Sequence, residues 1–410
     1  MDQKADFVPV LLGADGSAYG MARSFYEEYG VVSQALSTRV YPICQNSDIV
    51  KAAEVPQLDQ DAEFVHTLRS FSERSDNVGK TLLLVPTEHR FARLLARHAN
   101  QLPQAYRFNN PSLELVEQLE TKDRFYAVCQ KHDLPFPPFM LIAHPDDMVG
   151  CPFGFPAILK PDDPDAFLQC AYRGKKNLYE IRSETELNYA LSMAGKAGYA
   201  RGMILQQEIP GDDDAITTLT CYSAQDGQVR LVCPGDVILE ESAPWNMGHY
   251  GAVIAGENRE LADRVIAFLD RIGYTGFCNI DLKYDPEQDV YAFLDFNFAP
   301  CDSSYLATAA GRNLARFVVE DVLEDAPGPR VEVESDSALL TQIPESTIRQ
   351  YARDLESWPR VDKMIRSKKM VELFVPDYDK NFKRWKTYRS DQHFHRREFA
   401  DCYGRNHIND

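Results

Sequence analysis

Residues 274–300 read YTGFCNIDLKYDPEQDVYAFLDFNFAP. β-Forming aromatic and aliphatic residues lie on either side of residues 285–289, which contain a proline and two aspartates. This pattern predicts two short β-strands joined by a turn. Asp281, Asp295 and Asn297 do not suit buried strands, because Asp and Asn are poor strand formers. They are therefore the candidate functional residues of the segment.

The three polar residues of this hairpin can lie on one of its faces. Asp295 and Asn297 are two residues apart, so their side chains share one face of a strand. The hairpin can bring Asp281 across from them. Two carboxylates and an amide oxygen form a hard-oxygen site that suits Mg²⁺. The alternative is that the three residues are only the polar face of a half-exposed hairpin.

The hairpin resembles the metal-binding end of the ATP-grasp ligases, whose last strand carries an acid-x-Asn pattern, with another acid on the preceding strand. Asp295-Phe296-Asn297 matches the first feature, with Asp in place of the commoner Glu, and Asp281 matches the second. The resemblance implies that these three residues bind Mg²⁺ and that ATP is the second cofactor. One departure is Phe298, which stands where many relatives have a basic residue. Any oxyanion stabilisation by such a base must lie elsewhere or be absent.

Composition limits the classes of function. The chain has 410 residues, enough for two or three domains, and a formal net charge of −18 at pH 7. This charge argues against a general nucleic-acid-binding protein. From residue 361 onward the sequence holds 12 Lys and Arg against 8 Asp and Glu, whereas the remainder holds 32 against 54. The C-terminal tail is therefore predicted to differ from the rest of the chain in its electrostatics, with a basic rather than an acidic balance.

Cysteine usage and hydropathy predict the compartment. The nine cysteines include no Cys-x-x-Cys pair, which indicates reduced thiols in a reducing compartment. The first residues lack the pattern of a signal peptide, and no apolar run approaches the ~18 residues of a membrane span. We expect a cytoplasmic protein without a membrane span.

The N-terminal region predicts alternating strands and helices. Phe7–Leu12 is an apolar run that ends at Gly13, and a segment with helical spacing follows Gly16. Strand, glycine turn and helix open a Rossmann-like unit, and further alternation predicts a parallel sheet. The turn lacks the full dinucleotide fingerprint, so NAD is not predicted. Its N–H groups and the helix N-terminus suit an anion, although the two glycines are equally explained by a tight turn.

The next region resembles the beginning of an ATP-grasp module. Lys122 lies on a predicted helix that Ser112 begins, and Leu-Pro-x-Pro-Pro follows it. The strand FPAILKP contains Lys160, which on its own would be explained as an exposed lysine at a strand end. The resemblance implies that Lys122 binds the nucleotide and that Lys160 contacts its phosphates as a catalytic residue. A basic glycine loop follows and suits a flexible lid over phosphates. Its cations are Arg173, Lys175 and Lys176.

Residues 203–209 form a predicted strand that a Pro-Gly pair ends. The stretch resembles the hinge of ATP-grasp enzymes where adenine lies, with the purine edge meeting backbone groups. The resemblance implies that Gln207 and Glu208 contact the nucleotide. Three aspartates follow, and one of them is expected to bind the ribose hydroxyls. Asp214 is the best candidate, while Asp212 and Asp213 remain open, and any one of the three is also explained as part of a solvated turn.

Lys283 lies inside the hairpin and matches a lysine found in some carboxylate–amine ligases of this family. Two interpretations remain open at this point. Lys283 is either a catalytic residue that meets the acyl substrate, or a partner of Asp285.

The tail from residue 363 is basic and rich in aromatic residues, and it predicts a docking segment for substrate or partner rather than a catalytic one. Three histidines are expected on its surface, because they lack the flanking ligands of a metal site. They are His393, His395 and His407.

The resemblance covers roughly residues 8–324 and is greatest to the D-aspartate ligase-like branch of the ATP-grasp carboxylate–amine ligases. It implies an α/β protein with the α+β ATP-grasp fold. The expected parts are a Rossmann-like domain over residues 1–111, an ATP-grasp domain over 112–325 with lobes of about 112–205 and 206–325, and an extension over 326–410.

The implied activity is ATP-dependent amide formation through an acyl phosphate. The expected partners are a small carboxylic acid or amino acid, such as D-aspartate, and an amine-bearing acceptor, such as a peptidoglycan precursor. The resemblance leaves homo-oligomer formation open. Asp in place of Glu at position 295 and the absent base after Asn297 leave one alternative, a nucleotide-binding protein without ligase turnover.

Overall fold

The computed structural model describes residues 7–147, 150–243 and 246–403. Within these ranges the chain forms three β-sheets that follow one another along the sequence, with helices packed against them. No helix in the described part of the chain is long and apolar enough to span a membrane.

The first sheet contains five parallel strands in the order β3-β2-β1-β4-β5. This sheet confirms the predicted parallel arrangement, although β3 was not predicted. Its central strands carry apolar residues that are buried on both faces, as parallel sheets require. The elements are β1 Phe7–Leu12, α1 Gly16–Tyr29, β2 Ser33–Ser37, β3 Val50–Glu54, α2 Asp61–Ser72, β4 Thr81–Pro86, α3 His89–His98 and β5 Tyr106–Arg107.

The helix predicted to begin at Ser112 is two helices, α4 Leu113–Leu119 and α5 Lys122–Lys131. The Ser112 side chain caps α4 by accepting a hydrogen bond from the Leu115 N–H, as its position predicted. The backbone of Thr121 is extended and breaks the helical path. Lys122 is therefore the first residue of α5 rather than a mid-helix residue.

The second sheet is antiparallel and has the strand order β6-β9-β7-β8. Its apolar face packs on helix α7, whose N-cap Ser183 accepts a hydrogen bond from the Glu186 N–H. The elements are β6 Phe139–Ile142, β7 Ala157–Pro161, α6 Pro164–Leu168, β8 Tyr179–Ile181, α7 Glu184–Lys196 and β9 Met203–Gln207.

The third sheet is built around five consecutive antiparallel strands. They are β10 Ile216–Ser223, β11 Val229–Glu240, β12 Tyr250–Ala255, β13 Gly276–Asp285 and β14 Val290–Asn297, with helix α8 Arg259–Ile272 between β12 and β13. A Pro-Gly pair such as Pro234-Gly235 is typical of a turn, but a turn here is wrong because both residues lie inside β11. A Cβ atom on Gly235 would lie 2.7 Å from Cγ1 of Val253, so this glycine allows close packing rather than a turn.

The rest of the chain completes the third sheet and its cover. Strands β15 and β16 pair with β11 and β12, and β17 pairs with β16. Residues predicted as an extension therefore belong to the same sheet as the hairpin. The elements are α9 Tyr305–Ala309, α10 Leu314–Val322, β15 Val331–Glu332, β16 Leu339–Thr341, α11 Glu345–Tyr351, α12 Trp358–Arg366, β17 Met370–Glu372 and α13 Phe382–Glu398.

The basic tail is folded onto the body of the protein. Arg384 is fully buried, forms an ion pair with the equally buried Asp379, and donates to backbone carbonyls that include Ile43 O. His395 is also buried and contacts Glu241 and Asp391, so the surface position predicted for it is wrong. His393 is exposed as predicted, and His407 lies outside the described residues.

Candidate active site

The hairpin of β13 and β14 aligns its acidic residues as the sequence predicted. Asp281 lies directly opposite Asp295 in the register, and Asn279 lies opposite Asn297. The register shifts just after Asp281, at Leu294. Two carboxylates from neighbouring strands are thereby placed side by side.

One oxygen of the Asp281 carboxyl lacks a partner in the described part of the protein. Its Oδ1 atom is buried and has no hydrogen-bond partner among the described residues. Burial and the charge of Asp295 raise the pKa of Asp281 to about 6. Because an unpaired buried carboxylate oxygen is costly, this position favours a bound cation.

The donor set fits Mg²⁺, which takes oxygen ligands and keeps several positions for water or phosphate. Asp281, Asp295 and Asn297 offer two carboxylates and an amide. Within the described ranges no group of three or more His, Cys, Asp or Glu side chains has the arrangement of a metal site. The candidate site therefore depends on the amide and on oxygens supplied by a substrate.

Two lysines from different elements converge on these carboxylates. Lys122 is buried at the start of α5, where its ammonium forms an ion pair with Asp295 and donates to Leu294 O at 3.3 Å. Lys160 lies on β7, and burial and the charge of Lys122 lower its pKa to about 7. Burial would raise the pKa of Asp295, but Lys122 and Lys160 outweigh it, so that this pKa is lowered. Residues from three separate parts of the chain thus form one charged cluster.

Lys283 lies at the predicted hinge, and its pairing with Asp285 is not observed. Its Nζ atom donates to Gly211 O at 2.6 Å. The Asp285 carboxylate instead accepts from the Glu287 and Gln288 N–H groups within its own turn. Burial lowers the pKa of Lys283, although nearby carboxylates, Glu208 first among them, oppose that shift. Lys283 thereby joins the hinge to the hairpin strand.

The three aspartates after the hinge are in different environments. Asp212 is exposed, whereas Asp213 is buried and its Oδ2 accepts from the Glu240 N–H at 2.9 Å. Burial and the charge of Asp213 raise the pKa of Glu240 to about 8. Asp214 is half-buried. Asp213 therefore has a structural contact, which leaves Asp214 as the better candidate for a ligand.

The hinge itself is an extended segment at the end of β9. The Gln207 N–H donates to Pro138 O at 2.8 Å, which ties the hinge to the chain before β6. Burial and the charge of Glu180 raise the pKa of Glu208, and Lys283 opposes that shift. Glu208 and Lys283 are therefore electrostatic neighbours at the hinge.

The basic glycine loop between α6 and β8 is folded against its own sheet. Lys175 Nζ donates to Phe167 O at 2.7 Å and to Cys170 O at 2.9 Å, and it lies over the Phe167 ring. Arg173 is exposed, and the Lys176 N–H donates to the Tyr179 hydroxyl. In this conformation Lys175 is directed to its own loop, so contact with a phosphate would require the loop to rearrange.

The N-terminal glycine turn is surrounded by acidic side chains, whereas the sequence predicted a turn that binds an anion. Asp15 caps α1, and Ser17 Oγ donates to Asp302 Oδ1 at 2.7 Å. Burial and the charges of Asp302 and Glu88 raise the pKa of Asp15 well above its usual value. A Cβ atom on Gly16 would lie 2.8 Å from the Asp302 carboxylate. The prediction that this turn suits an anion is wrong, because carboxylates surround it and a positively charged group is favoured instead.

Sequence reasoning did not identify His89, which lies beside the cluster. Its ring packs on Phe298 with centroids 4.5 Å apart, and burial lowers its pKa to about 4, with Asp295 opposing the shift. His89 opens α3 directly after β4. The carboxyl ends of parallel strands are where ligands bind in such sheets, and that rule could have indicated it.

Known proteins resemble this chain in sequence and in fold. No family model matches the chain. The D-aspartate ligase of Enterococcus faecium (strain Aus0004) is 33% identical over 393 residues, which cover 93% of each chain.

Solved structures share the fold at lower identity. The L-amino acid ligase from Bacillus licheniformis has a TM-score of 0.55 at 14% identity, over 78% of this chain and 75% of that one. The N5-carboxyaminoimidazole synthetase from Staphylococcus aureus complexed with ADP has a TM-score of 0.56 at 12% identity, over 81% of both chains. The fold is therefore the one that these enzymes share, as the hairpin predicted.

Proposed function

Because the chain belongs to the ATP-grasp carboxylate–amine ligases, in the branch of D-aspartate ligase, we propose that it joins a carboxylic acid to an amine through an acyl phosphate at the expense of ATP. The observation that supports this most is the convergence of Lys122 and Lys160 on Asp281 and Asp295. Such a cluster has the charges that phosphoryl transfer needs, and this chemistry requires no side-chain nucleophile.

Asp281, Asp295 and Asn297 would hold Mg²⁺, which neutralises phosphate charge when it is bound. The residues of the chain supply the rest. Lys160 carries a pKa of about 7 in the free protein, and a phosphate beside it would favour its ammonium form. A phosphate oxygen would replace the Asp295 carboxylate as the partner of the Lys122 ammonium. Both lysines then stabilise charge that develops during transfer.

The hinge would hold the nucleotide. The backbone around Gln207 and Glu208 offers donors and acceptors to the purine edge, and Asp214 is the candidate for the ribose hydroxyls. Lys283 is hydrogen-bonded to Gly211 O, so it supports a positioning role at the hinge better than the catalytic role predicted for it. Gln207 and Lys283 lie on strands β9 and β13, which suits precise orientation of a substrate.

Phosphoryl transfer to the substrate carboxylate gives an acyl phosphate and ADP, and attack of the amine then releases phosphate and leaves the amide. Water must be excluded between the two steps. Arg173, Lys175 and Lys176 lie on the loop that we assign as the lid, because a glycine loop with cations can close over phosphates. Closure would exchange the two carbonyl contacts of Lys175 for phosphate contacts.

Two observations support the proposed substrates: the similarity to a D-aspartate ligase and the negative charge near the glycine turn. D-aspartate or another amino acid is the proposed acid, and an amine of a peptide or peptidoglycan precursor is the proposed acceptor, with the reaction in the cytoplasm. The carboxylates of Asp15 and Asp302 at the glycine turn suit the ammonium group of an amine substrate better than an anion.

A substrate screen tests the proposal. The protein is incubated with ATP, Mg²⁺, pairs of D- or L-amino acids, and amines that include lysine-containing peptides, and the products are read by mass spectrometry while phosphate release is measured. ATP consumption should require both an acid and an amine. The Lys160→Ala variant should lose the activity, whereas Lys196→Ala, at an exposed lysine on α7, should keep it. If ATP binds but no pair is joined, a nucleotide-binding protein without turnover replaces the ligase.

A further inference from the structure

Helix α13 has a solvent face of unusual composition. Ten of its residues are exposed, and none of them carries a negative charge. Five are Lys or Arg, three are large aromatic residues, and the others are a histidine and a serine. They are Phe382, Lys383, Trp385, Lys386, Arg389, Ser390, His393, Phe394, Arg396 and Arg397.

The opposite side of the same helix fixes its orientation. Arg384, Gln392 and His395 are buried against the body of the protein, and Gln392 donates to Gln342 O at 2.9 Å. Asp391 contacts the buried His395 and so does not belong to the exposed face. The helix cannot rotate about its axis without breaking these contacts. The cationic and aromatic face is therefore a permanent feature of the surface.

The five exposed cations of this face are available to a partner. Among the described residues no carboxylate lies within ion-pair distance of any of them, whereas most other arginines of the chain are paired. Arg389 lies over the Trp385 ring, with 4.9 Å between its guanidinium carbon and the ring centroid. The charges are spread along a convex helix of 17 residues, about 25 Å long, and do not converge on a pocket.

The large aromatic side chains of this face are also exposed to solvent. Phe382 is 78% exposed, Phe394 45% and Trp385 39%, and the rings of Phe382 and Trp385 stack at 6.3 Å. Apolar rings grouped with cations on a helix that is otherwise well packed indicate an interaction surface rather than a solvated one. Tryptophan and phenylalanine beside Lys and Arg are the residues that enter a membrane interface.

We propose that the outer face of α13 docks the protein on the surface of an anionic lipid bilayer. Its cations contact the phosphate headgroups, and Phe382 and Trp385 enter the interface between headgroups and acyl chains. A flat surface suits cations that are spread over a convex helix, whereas a small polyanion would need them to converge. The rest of the chain has 54 acidic against 32 basic residues outside the region from residue 361. Because anionic headgroups repel the acidic body, the outer face of α13 is the one that approaches the membrane.

Sedimentation with lipid vesicles tests the proposal on the full-length protein. The protein should sediment with vesicles of equal parts phosphatidylglycerol and phosphatidylcholine, should be released by salt, and should stay in solution with phosphatidylcholine alone. Each cation that is removed should weaken binding about fivefold. The variant K386E/R389E/R397E should therefore bind at least about a hundredfold more weakly.

A matched variant controls for net charge. K51E/K80E/K131E makes the same change of charge at exposed lysines elsewhere on the surface and should sediment like the wild type. Thermal unfolding should be equal for both variants, because none of the six side chains is buried. Equal loss of vesicle binding in the two variants would overturn the proposal, since net charge rather than this face would then be responsible.

The aromatic residues distinguish a membrane interface from other anionic partners. Trp385 emission should shift to shorter wavelength with the anionic vesicles and should be quenched by brominated lipid, and Trp385→Phe should remove that signal. Phe382→Ala should weaken vesicle binding. If the wild type fails to bind vesicles while K386E/R389E/R397E changes the sedimentation coefficient of the protein alone, the face contacts a second copy of the chain and the proposal is wrong. Selective binding to an oligonucleotide would also contradict it. This inference does not depend on ligase activity, so failure of either leaves the other standing.

Discussion

The Lys122 ammonium forms an ion pair with the Asp295 carboxylate, across the gap between the first turn of α5 and the last strand of the hairpin. In the proposed reaction the same carboxylate binds Mg²⁺ and the same lysine meets a phosphate. The free protein thus pairs the two charges that ATP and Mg²⁺ would separate. Burying either charge alone would be far less favourable.

Asp295→Asn should abolish turnover while the protein still folds, with a lower melting temperature because the buried Lys122 loses its counter-charge. The amide has nearly the same shape but lacks the charge of a metal ligand, so kcat should fall at least about a hundredfold. Phosphate release and thermal unfolding measure the two effects. Asp289→Asn is the control, because Asp289 is an exposed turn residue with a positive φ that Asn tolerates. If the variant is unfolded at the assay temperature, its loss of activity comes from the loss of the fold, and the metal-binding role of Asp295 is not supported.

Asp214→Ala should mainly raise KM for ATP and leave kcat nearly unchanged, since its proposed contact with ribose is made in the ground state. Asp213→Ala should instead lower stability, because the Asp213 carboxylate accepts from the buried end of β11 at the Glu240 N–H. Steady-state kinetics and urea unfolding of both variants separate these roles. The opposite assignment, with Asp213 affecting KM and Asp214 affecting stability, would contradict the interpretation of this turn.

Arg384→Ala should destabilise the protein by about 3–5 kcal/mol, because it leaves Asp379 buried without its counter-charge. Arg384 therefore has a structural role, whereas the docking role predicted for the tail as a whole stays a prediction. Arg389→Ala, on the exposed face of the same helix, should change stability by less than about 1 kcal/mol. Urea unfolding measures both, and equal effects would mean that the tail is not packed on the body as described.

Glu240→Gln should alter the pH dependence of stability in the ligand-free protein. Burial and Asp213 raise the folded-state pKa of Glu240 from 4.5 to about 8, so the folded state binds more protons than the unfolded state within that window. The wild type should therefore lose stability as pH rises from about 4.5 to about 8, and the variant should lose less. Urea unfolding at both ends of the window measures the difference. Parallel curves for the two proteins would show that Glu240 titrates normally.

The sequence predicted the parts of the fold and site that depend on local pattern. The hairpin, its turn and the opposition of Asp281 and Asp295 follow from strand periodicity, and the parallel sheet follows from alternation of strands and helices. The strand boundaries near Pro234-Gly235 could not be predicted from the sequence, because a Pro-Gly pair is typical of a turn. Only the packing of Gly235 against Val253 shows that the pair lies inside β11.

The sequence pattern also could not show which charged residues from distant parts of the chain lie next to a given site. The Gly13–Gly16 turn has the local form of an anion site, yet Asp302 reaches it from a distant part of the chain. Likewise Arg384 reads as one more cation of a basic tail until its contacts with Asp379 and Ile43 O are seen. Tertiary contacts of this kind decide electrostatic environments and have no local signature.

Hydroxylamine trapping tests the acyl-phosphate mechanism most directly. With ATP, Mg²⁺ and the acid identified by the substrate screen, but no amine, the protein should produce the hydroxamate of that acid, since an acyl phosphate reacts with hydroxylamine. Lys160→Ala should suppress hydroxamate and amide formation together, whereas Lys196→Ala should suppress neither. If an acid that supports amide synthesis never yields a hydroxamate, the carboxylate is not activated as an acyl phosphate and the proposed mechanism is wrong.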